Sequence, residues 1–528
     1  MGIGFLAAVL GSCVWVYWFS GGFAAVVCRE ALESIESTDG VAFVDGKFAI
    51  GYTDEDFICA TMDWWPPEKC DYGTCSWGHA SILNLDLSNP ILINAVKEFS
   101  PIKLRIGGSL QDKVIYAVDD PEIKCLPFKK NTSQMFGFTE GCLSMSRWDE
   151  LNRFFKKTRA VVIFGLNALN GRIHLKDGSC KGPWNSTNAA AFINYTVNNG
   201  YTIHGWELGN ELSGHGVGTR VQPDQYTADV IKLKSMVDNS YADSLSKPLV
   251  LSPGGFFDAT WFKYLIEKTK PNYMDVVTHH IYNLGPGVDT HLVSKILDPS
   301  YLNGEANTFR KLQQIIINAE TSTTAWVGEA GGAYNSGHHL VTNAFVFSFW
   351  YLDQLGMSAT FDTKTYCRQS LIGGNYGILN TTTYKPNPDY FSALLWHRLM
   401  GRRVLSATFN GTDKIRVYAH CSKQSKGVTL LLLNLDMDTT VYVSPSLGYN
   451  RIERLVEFPR EEYHLTAKDG DLHSQVMMLN GKALITKDNG KIPALNPVVI
   501  PSSSQPIIVA PCSIVFAHFP YSFVPACI

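Results

Sequence analysis

Net charge is nearly absent from this chain. Its 45 Lys and Arg residues are set against 48 Asp and Glu residues in 528, a formal charge of −3 with a pI near 6.5. That balance argues against nucleic acid or any strongly polyanionic partner, and pairs such as Lys156-Lys157 and Arg402-Arg403 are short enough to be solvated faces. After residue 27 no segment approaches 18 uninterrupted apolar residues, so no later membrane span is expected. Internal repeats and low-complexity linkers are also missing. The cysteine spacing Cys59-x10-Cys70-x4-Cys75 fits no zinc pattern, and neither a metal nor a cofactor is expected.

What is present begins with length and an ordinary 45% hydrophobic share, which fit one large globular domain with a smaller one packed against it. Residues 3 to 27 are apolar, carry no charge before Arg29, and offer small residues at Gly21, Gly22, Ala24 and Ala25. A secretory signal peptide over 1–25 is expected, although its start lacks Lys or Arg and the stretch is long enough to span a bilayer if retained. Five sequons agree with a luminal route, at Asn131, Asn185, Asn194, Asn380 and Asn410. The ten cysteines from Cys59 onward are expected to form disulfides, with pairings the spacing leaves open.

Short apolar strands alternate with longer amphipathic or mixed segments at 59–65, 102–107, 160–166, 203–209, 248–252, 275–281, 324–329 and 357–362. Eight such strands predict a (β/α)8 TIM barrel over 55–395. Past residue 396 the pattern turns to alternating or continuous strand-like runs, as in Ile415–His420 and Gly427–Asn434, which predicts a β-sandwich over 396–528. Residues 26–54 also read as strands and are expected to join that sandwich.

Several barrel strands end in polar or glycine-rich runs, and in a TIM barrel those ends form the reacting cleft. The fourth candidate strand ends in Gly-Asn210-Glu211 and the seventh in Gly-Glu329-Ala-Gly-Gly. A retaining glycosidase needs two carboxyl groups about 5 to 5.5 Å apart, and these two positions face one another across a barrel mouth. Glu211 is assigned the proton donor and acid/base, and Glu329 the nucleophile; Asn210 is placed to bond the sugar 2-hydroxyl. Glu207, four residues before Glu211, sits deeper and is expected in a structural ion pair. Of the adjacent His279 and His280 only one can enter the cleft, to orient Glu329 or a substrate hydroxyl; metal binding is not expected.

These motifs resemble the heparanase family of glycoside hydrolases, especially its plant members. The likeness runs from about residue 55 to the end, through Trp64-Trp-Pro-Pro-Glu-Lys-Cys70, Lys103-Leu-Arg-Ile-Gly-Gly-Ser-Leu-Gln-Asp112, Gly205-Trp-Glu-Leu-Gly-Asn-Glu-Leu212, Thr278-His-His-Ile-Tyr282, Gly328-Glu-Ala-Gly-Gly-Ala-Tyr334 and Gly373-Gly-Asn-Tyr-Gly377. It implies a retaining β-glucuronidase with Glu211 as acid/base and Glu329 as nucleophile. It further implies that the run Gly374-Asn375-Tyr376 binds a uronic carboxylate, that Tyr334, Asp63 and Ser109 contact substrate, and that Cys421 pairs with Cys527. Residues 113–150 offer no counterpart to the linker that animal heparanase loses on maturation, so a single-chain enzyme is expected.

With no evident basic clusters, the expected substrates carry β-linked glucuronic acid on glycans such as arabinogalactan proteins, or on small aromatics. Endo-β-glucuronidase action on a heparan-sulfate-like chain, a noncatalytic carbohydrate-binding protein, and a different barrel hydrolase such as a β-glucosidase or xylanase are the alternatives. The expected location is the secretory route, ending outside the cell, in the wall, or in a lysosome or vacuole, with peripheral association with membrane or wall left open. Oligomeric state is left open.

Overall fold

A computed structural model describes residues 36–118, 125–448 and 458–528, preceded by three short strand segments within 7–28. Apart from Ala7–Leu10 and Cys13–Val16, the leader expected over 1–25 lies outside the residues so described.

Eight parallel strands close into a barrel: Ile58–Met62, Lys103–Ile106, Val161–Leu166, Gly205–Leu208, Leu249–Phe256, Val276–Ile281, Thr324–Ala330 and Tyr366–Arg368. Each pairs with the next in chain order, and the eighth returns to the first. Alternation sends successive side chains to opposite faces. On the outer face Phe164 and Trp206 pack with Trp148 and Phe192 of the surrounding helices. On the inner face Ile163, Leu251, Val276 and Trp326 form an apolar layer. Above it Arg105, Glu207 and Thr278 are buried and bonded to one another. The barrel is therefore plugged with side chains, dry below and polar near its mouth.

The eighth strand is not where the sequence pattern puts it. Residues 357–362 fall mostly in the helix Phe347–Thr360, and the strand is the three-residue Tyr366–Arg368. That helix is buried from Phe347 to Ala359, so it has no polar face to reveal a helical period. The strand it hides is too short to show alternation. A disulfide joins Cys367 to Cys59 on the first strand, fastening the barrel seam.

The C-terminal strands form two sheets that share Met400–Phe409. One runs through Ile415–Ser422, Val428–Asn434, Ile514–Phe519 and Arg460–Ala467. The other contains Ser37–Asp45, Thr440–Gly448 and Ile507–Val509. Ser37–Asp45 lies antiparallel to Met400–Phe409 and parallel to Thr440–Gly448. Ala42, Val44, Val441, Val443 and Val509 of one sheet and Leu430, Leu432, Val515 and Ala517 of the other belong to one apolar cluster. The alternate residues Leu431, Leu433, Ile514 and Phe516 join the barrel's own core. Val428–Asn434 is thus apolar on both faces, which is why it reads as a continuous hydrophobic run. Cys421 and Cys527 are joined, tying the last turn to an inner strand.

Candidate active site

Glu211 lies just past the fourth barrel strand, in the turn after Leu208. Its backbone is left-handed at φ 55°, a conformation a side chain seldom adopts without being held. The hold is visible: its N–H donates to the Gly254 carbonyl at 2.7 Å, and its carbonyl accepts from the Val217 N–H at 2.9 Å. Glu329 comes from the seventh strand. The pairing with the sixth strand passes from His279–Val327 to His280–Glu329, leaving Gly328 unpaired and setting Glu329 beside His280. One oxygen of Glu211, one of Glu329 and a ring nitrogen of His280 all lie within 4.8 Å of one another.

The surroundings of the two glutamates differ. Both oxygens of Glu329 accept hydrogen bonds, Oε2 from Arg105 Nη1 at 2.8 Å and Oε1 from the Tyr282 hydroxyl at 2.6 Å. Among the described residues Glu211 has only His280 Nδ1, 3.0 Å from its Oε1. Burial pushes its pKa up to about 7, with Arg105 pulling weakly the other way. His280 is itself pushed down to about 4 by burial, so it stands as a neutral imidazole beside Glu211. The sequence pattern assigned one of the two histidines to Glu329 or a substrate hydroxyl. In the structure His280 bonds Glu211, while His279 packs against Phe309.

Arg105 is the hub. From the second strand it donates through Nε to Glu207 at 2.6 Å, through Nη1 to Glu329, and through Nη2 to Asn210 Oδ1 at 2.9 Å. Glu207 also accepts from Thr278 at 2.8 Å, which makes it the structural ion-pair partner expected from its depth. Asn210 sits just beneath the cleft surface with its side-chain nitrogen uncommitted among the described residues, and its N–H donates to Asp112. The group Glu211, His280 and Glu329 has the donor types of a metal site. A guanidinium 2.8 Å from Glu329 argues against a cation there, since it would stand against a fixed positive charge.

The cleft has a volume of ≈ 380 Å³ and is lined by Glu211, Glu329, Asp63, Ser109, Tyr334 and Tyr376 among the expected residues. Tyr282, Gln369, Trp65, Phe256 and Lys69 also line it. Asp63 ends the first strand. Burial, with the negative charge of Glu329, pushes its pKa up to about 8. Its Oδ2 accepts from Gln369 Nε2 at 2.6 Å, while Oδ1 has no partner among the described residues. Gly108 at φ 102° borders this atom, and a Cβ there would lie 1.9 Å from it. Only glycine leaves that oxygen clear. Ser109 and the half-exposed Tyr334 stand on the rim. Tyr376 is buried, its hydroxyl 3.4 Å from Gln369 Nε2.

Gly374 is buried and is not among the residues lining the cleft; the Tyr376 ring lies 2.7 Å from where a Cβ on it would sit. The Asn375 N–H is directed to the Ser336 carbonyl at 2.7 Å. Arg105, Tyr282 and Gln369 went unassigned in the sequence. For Arg105 a signal existed, since a charge inside an apolar strand must be paired. Gln369 follows a misplaced strand and had none.

The five sequon asparagines each have their side-chain oxygen engaged locally, by Ser133, Thr187, Ser240, Thr382 and Val41 in turn. Their amide nitrogens, where a glycan would attach, make no hydrogen bond among the described residues.

A closed parallel barrel with one carboxyl at the end of its fourth strand and another on its seventh, facing across the mouth, defines a glycoside hydrolase. The chain belongs to glycosyl hydrolase family 79: the model "Glycosyl hydrolase family 79, N-terminal domain" matches residues 39–356. It is 56% identical to heparanase-like protein 3 of Arabidopsis thaliana over 99% of both chains. It is 45% identical to baicalin-beta-D-glucuronidase of Scutellaria baicalensis over 89% of this chain and 90% of that one. Its fold is shared with a 4-O-alpha-L-rhamnosyl-beta-D-glucuronidase of Fusarium oxysporum, at TM-score 0.63 and 14% identity, covering 90% of this chain and 100% of that structure.

Proposed function

We propose that this protein is a retaining β-glucuronidase. The observation that carries the mechanism is the closeness of the two glutamates, whose oxygens lie within 4.8 Å. A retaining enzyme needs carboxyl groups about 5 to 5.5 Å apart, whereas an inverting one needs about 6.5 to 9.5 Å to admit a water. Glu211, with its pKa near neutrality, gives its proton to the glycosidic oxygen. Glu329, held by Arg105 and Tyr282, attacks the anomeric carbon and forms a glycosyl-enzyme ester. Glu211 then takes a proton from the water that hydrolyses it. Asn210, held by Arg105 through its oxygen, is left with an amide N–H for the sugar 2-hydroxyl.

Glucuronic acid as the sugar is supported by the family's named glucuronidase relative and by the Tyr376 hydroxyl on the cleft wall. Trp65 and Phe256 offer apolar faces suited to a glycan or aromatic aglycone. Four disulfides fit an oxidising compartment, in keeping with secretion to the wall or delivery to a vacuole.

The test compares a chromogenic β-glucuronide with the matching β-glucoside for the wild type, Glu211→Gln and Glu329→Gln, and follows the first-formed anomer by NMR. The glucuronide is expected to be preferred, the β-anomer to appear first, and Glu329→Gln to be inactive. A preference for the glucoside would sink the assigned sugar, and inversion would sink the mechanism.

A further inference from the structure

The proton donor of a glycosidase stands on the side from which the leaving group departs, because its proton goes to the bridging oxygen. Glu211 therefore marks that side of the cleft. The eight strands follow chain order round the barrel, so the first stands opposite the fifth and the eighth opposite the fourth. Asp63 and Gln369, just past the first and eighth strands, give one half of the lining a carboxyl and an amide that a sugar can bond. Of the residues that line the other half, those after the fourth strand and at the end of the fifth are Glu211, Val217 and Phe256. Beside the glutamate, that wall is apolar.

Phe256 is the last residue of the fifth strand, whose end is fastened to the acid/base turn. The Gly254 carbonyl accepts from the Glu211 N–H, the Phe256 carbonyl accepts from the Ser213 hydroxyl at 3.2 Å, and a Cβ on Gly255 would lie 3.2 Å from Glu211 Cα. The Phe256 ring centre is 6.4 Å from that of His280, the imidazole bonded to Glu211, and 6.1 Å from that of Tyr282. Even so the residue is 40% exposed. Val217 belongs to the same assembly, its N–H donating to the Glu211 carbonyl. Next to it, a Cβ on Gly218 would lie 2.7 Å from the ring of Phe136, which stands edge-on to Trp65 at 6.3 Å from a loop closed by Cys125 and Cys142. The apolar wall thus continues from Phe256 and Val217 to Trp65.

We propose that Phe256 is the platform for the leaving group, and that it selects a planar aromatic one over a sugar. The inference rests on Glu211 as the proton donor of a retaining β-glucuronidase. Ligand sites fix orientation with a few placed polar groups. A sugar leaving group would bring several hydroxyls to a wall whose one polar side chain, Glu211, is occupied with the bridging oxygen. A phenolic leaving group gives its single oxygen to Glu211 and its face or edge to Phe256, a pairing that needs no further donor.

The test is the ratio of kcat/KM for 4-methylumbelliferyl β-glucuronide to that for β-glucuronosyl galactose, in the wild type, Phe256→Ala and Phe256→Tyr, with inhibition by free 4-methylumbelliferone as a second readout. Comparing variants cancels the intrinsic difference between the two leaving groups. Loss of one aromatic pair corresponds to a factor of about 2 to 12. Phe256→Ala is expected to lower the ratio and weaken the inhibition by that factor, and Phe256→Tyr, which keeps the ring, to recover both. An equal fall on the two substrates would make Phe256 merely packing for His280 and Tyr282, and would overturn the proposal. So would a ratio that does not move, or a larger fall on the disaccharide. The glucuronidase reading fails separately: a wild type that cleaves the matching glucosides faster removes the assigned sugar, while the same aryl-to-galactosyl ratio on those glucosides still decides the role of Phe256.

Discussion

Replacing Arg105 by Met tests whether the hub under the cleft serves stability and catalysis through separate partners. The guanidinium reaches Glu207 at 2.6 Å, Glu329 at 2.8 Å and Asn210 at 2.9 Å, and is almost wholly buried. Removing one partner of a buried ion pair strands the other charge and costs about 3 to 5 kcal/mol. Most of that cost belongs to Glu207, which is fully buried; Glu329 borders the cleft. The double variant Arg105→Met with Glu207→Gln removes the stranded charge, and is expected to recover about 1 to 3 kcal/mol, a coupling typical of contacting residues. Catalysis should not recover with it. Glu329 and Asn210 lose their common anchor in both variants, and misplacement by about 1 Å can cost roughly 100-fold in rate. Arg105 also pulls the Glu211 pKa down, so its loss should move the alkaline limb of the kcat/KM profile to higher pH. Denaturant unfolding and initial rates on a chromogenic β-glucuronide measure the two effects side by side. The reasoning is refuted if Arg105→Met stays within about 1 kcal/mol of the wild type, well short of the expected cost, or if Glu207→Gln restores the rate.

Two further outcomes follow from the same geometry. Glu329→Gly should be inactive with water but form the α-glucuronosyl azide when azide is supplied, as NMR of the product would show; a β-azide would exchange the roles of the two glutamates. Glu211 and Asp63 are pushed up to about 7 and about 8 in the folded state, so each costs stability as pH climbs from its unfolded value through its folded one. Glu211→Gln and Asp63→Asn should therefore unfold at higher temperature than the wild type at pH 8, with the gain vanishing toward pH 4; equal melting at pH 8 would contradict the burial of these carboxyls.

That the two glutamates share one cleft was legible because each lies at the end of an apolar strand, Glu211 two residues past Gly209 and Glu329 beside Gly328, a pattern set by the barrel itself. Seven of the eight strands were legible for the same reason. The eighth was not: its three residues lie behind a helix that is buried all round, where neither period appears. Gln369 was lost with it. Glu329 is set beside His280 by one unpaired residue, Gly328, in the seventh strand, and a register irregularity of that size leaves no mark on hydrophobic pattern. The motif puts Tyr376 on the cleft wall, while Gly374 is buried and does not line it.

Ser37–Asp45 is among the earliest segments of this chain to be synthesised, yet both strands that flank it, Met400–Phe409 and Thr440–Gly448, come some four hundred residues later. At about 5 to 20 residues per second the ribosome needs roughly 20 to 80 seconds to deliver them. For that interval an edge rich in unpaired backbone groups waits at the front of the nascent protein while the barrel is assembled behind it. A chain cut short before Met400 would carry the strand Ser37–Asp45 with neither of its flanking partners.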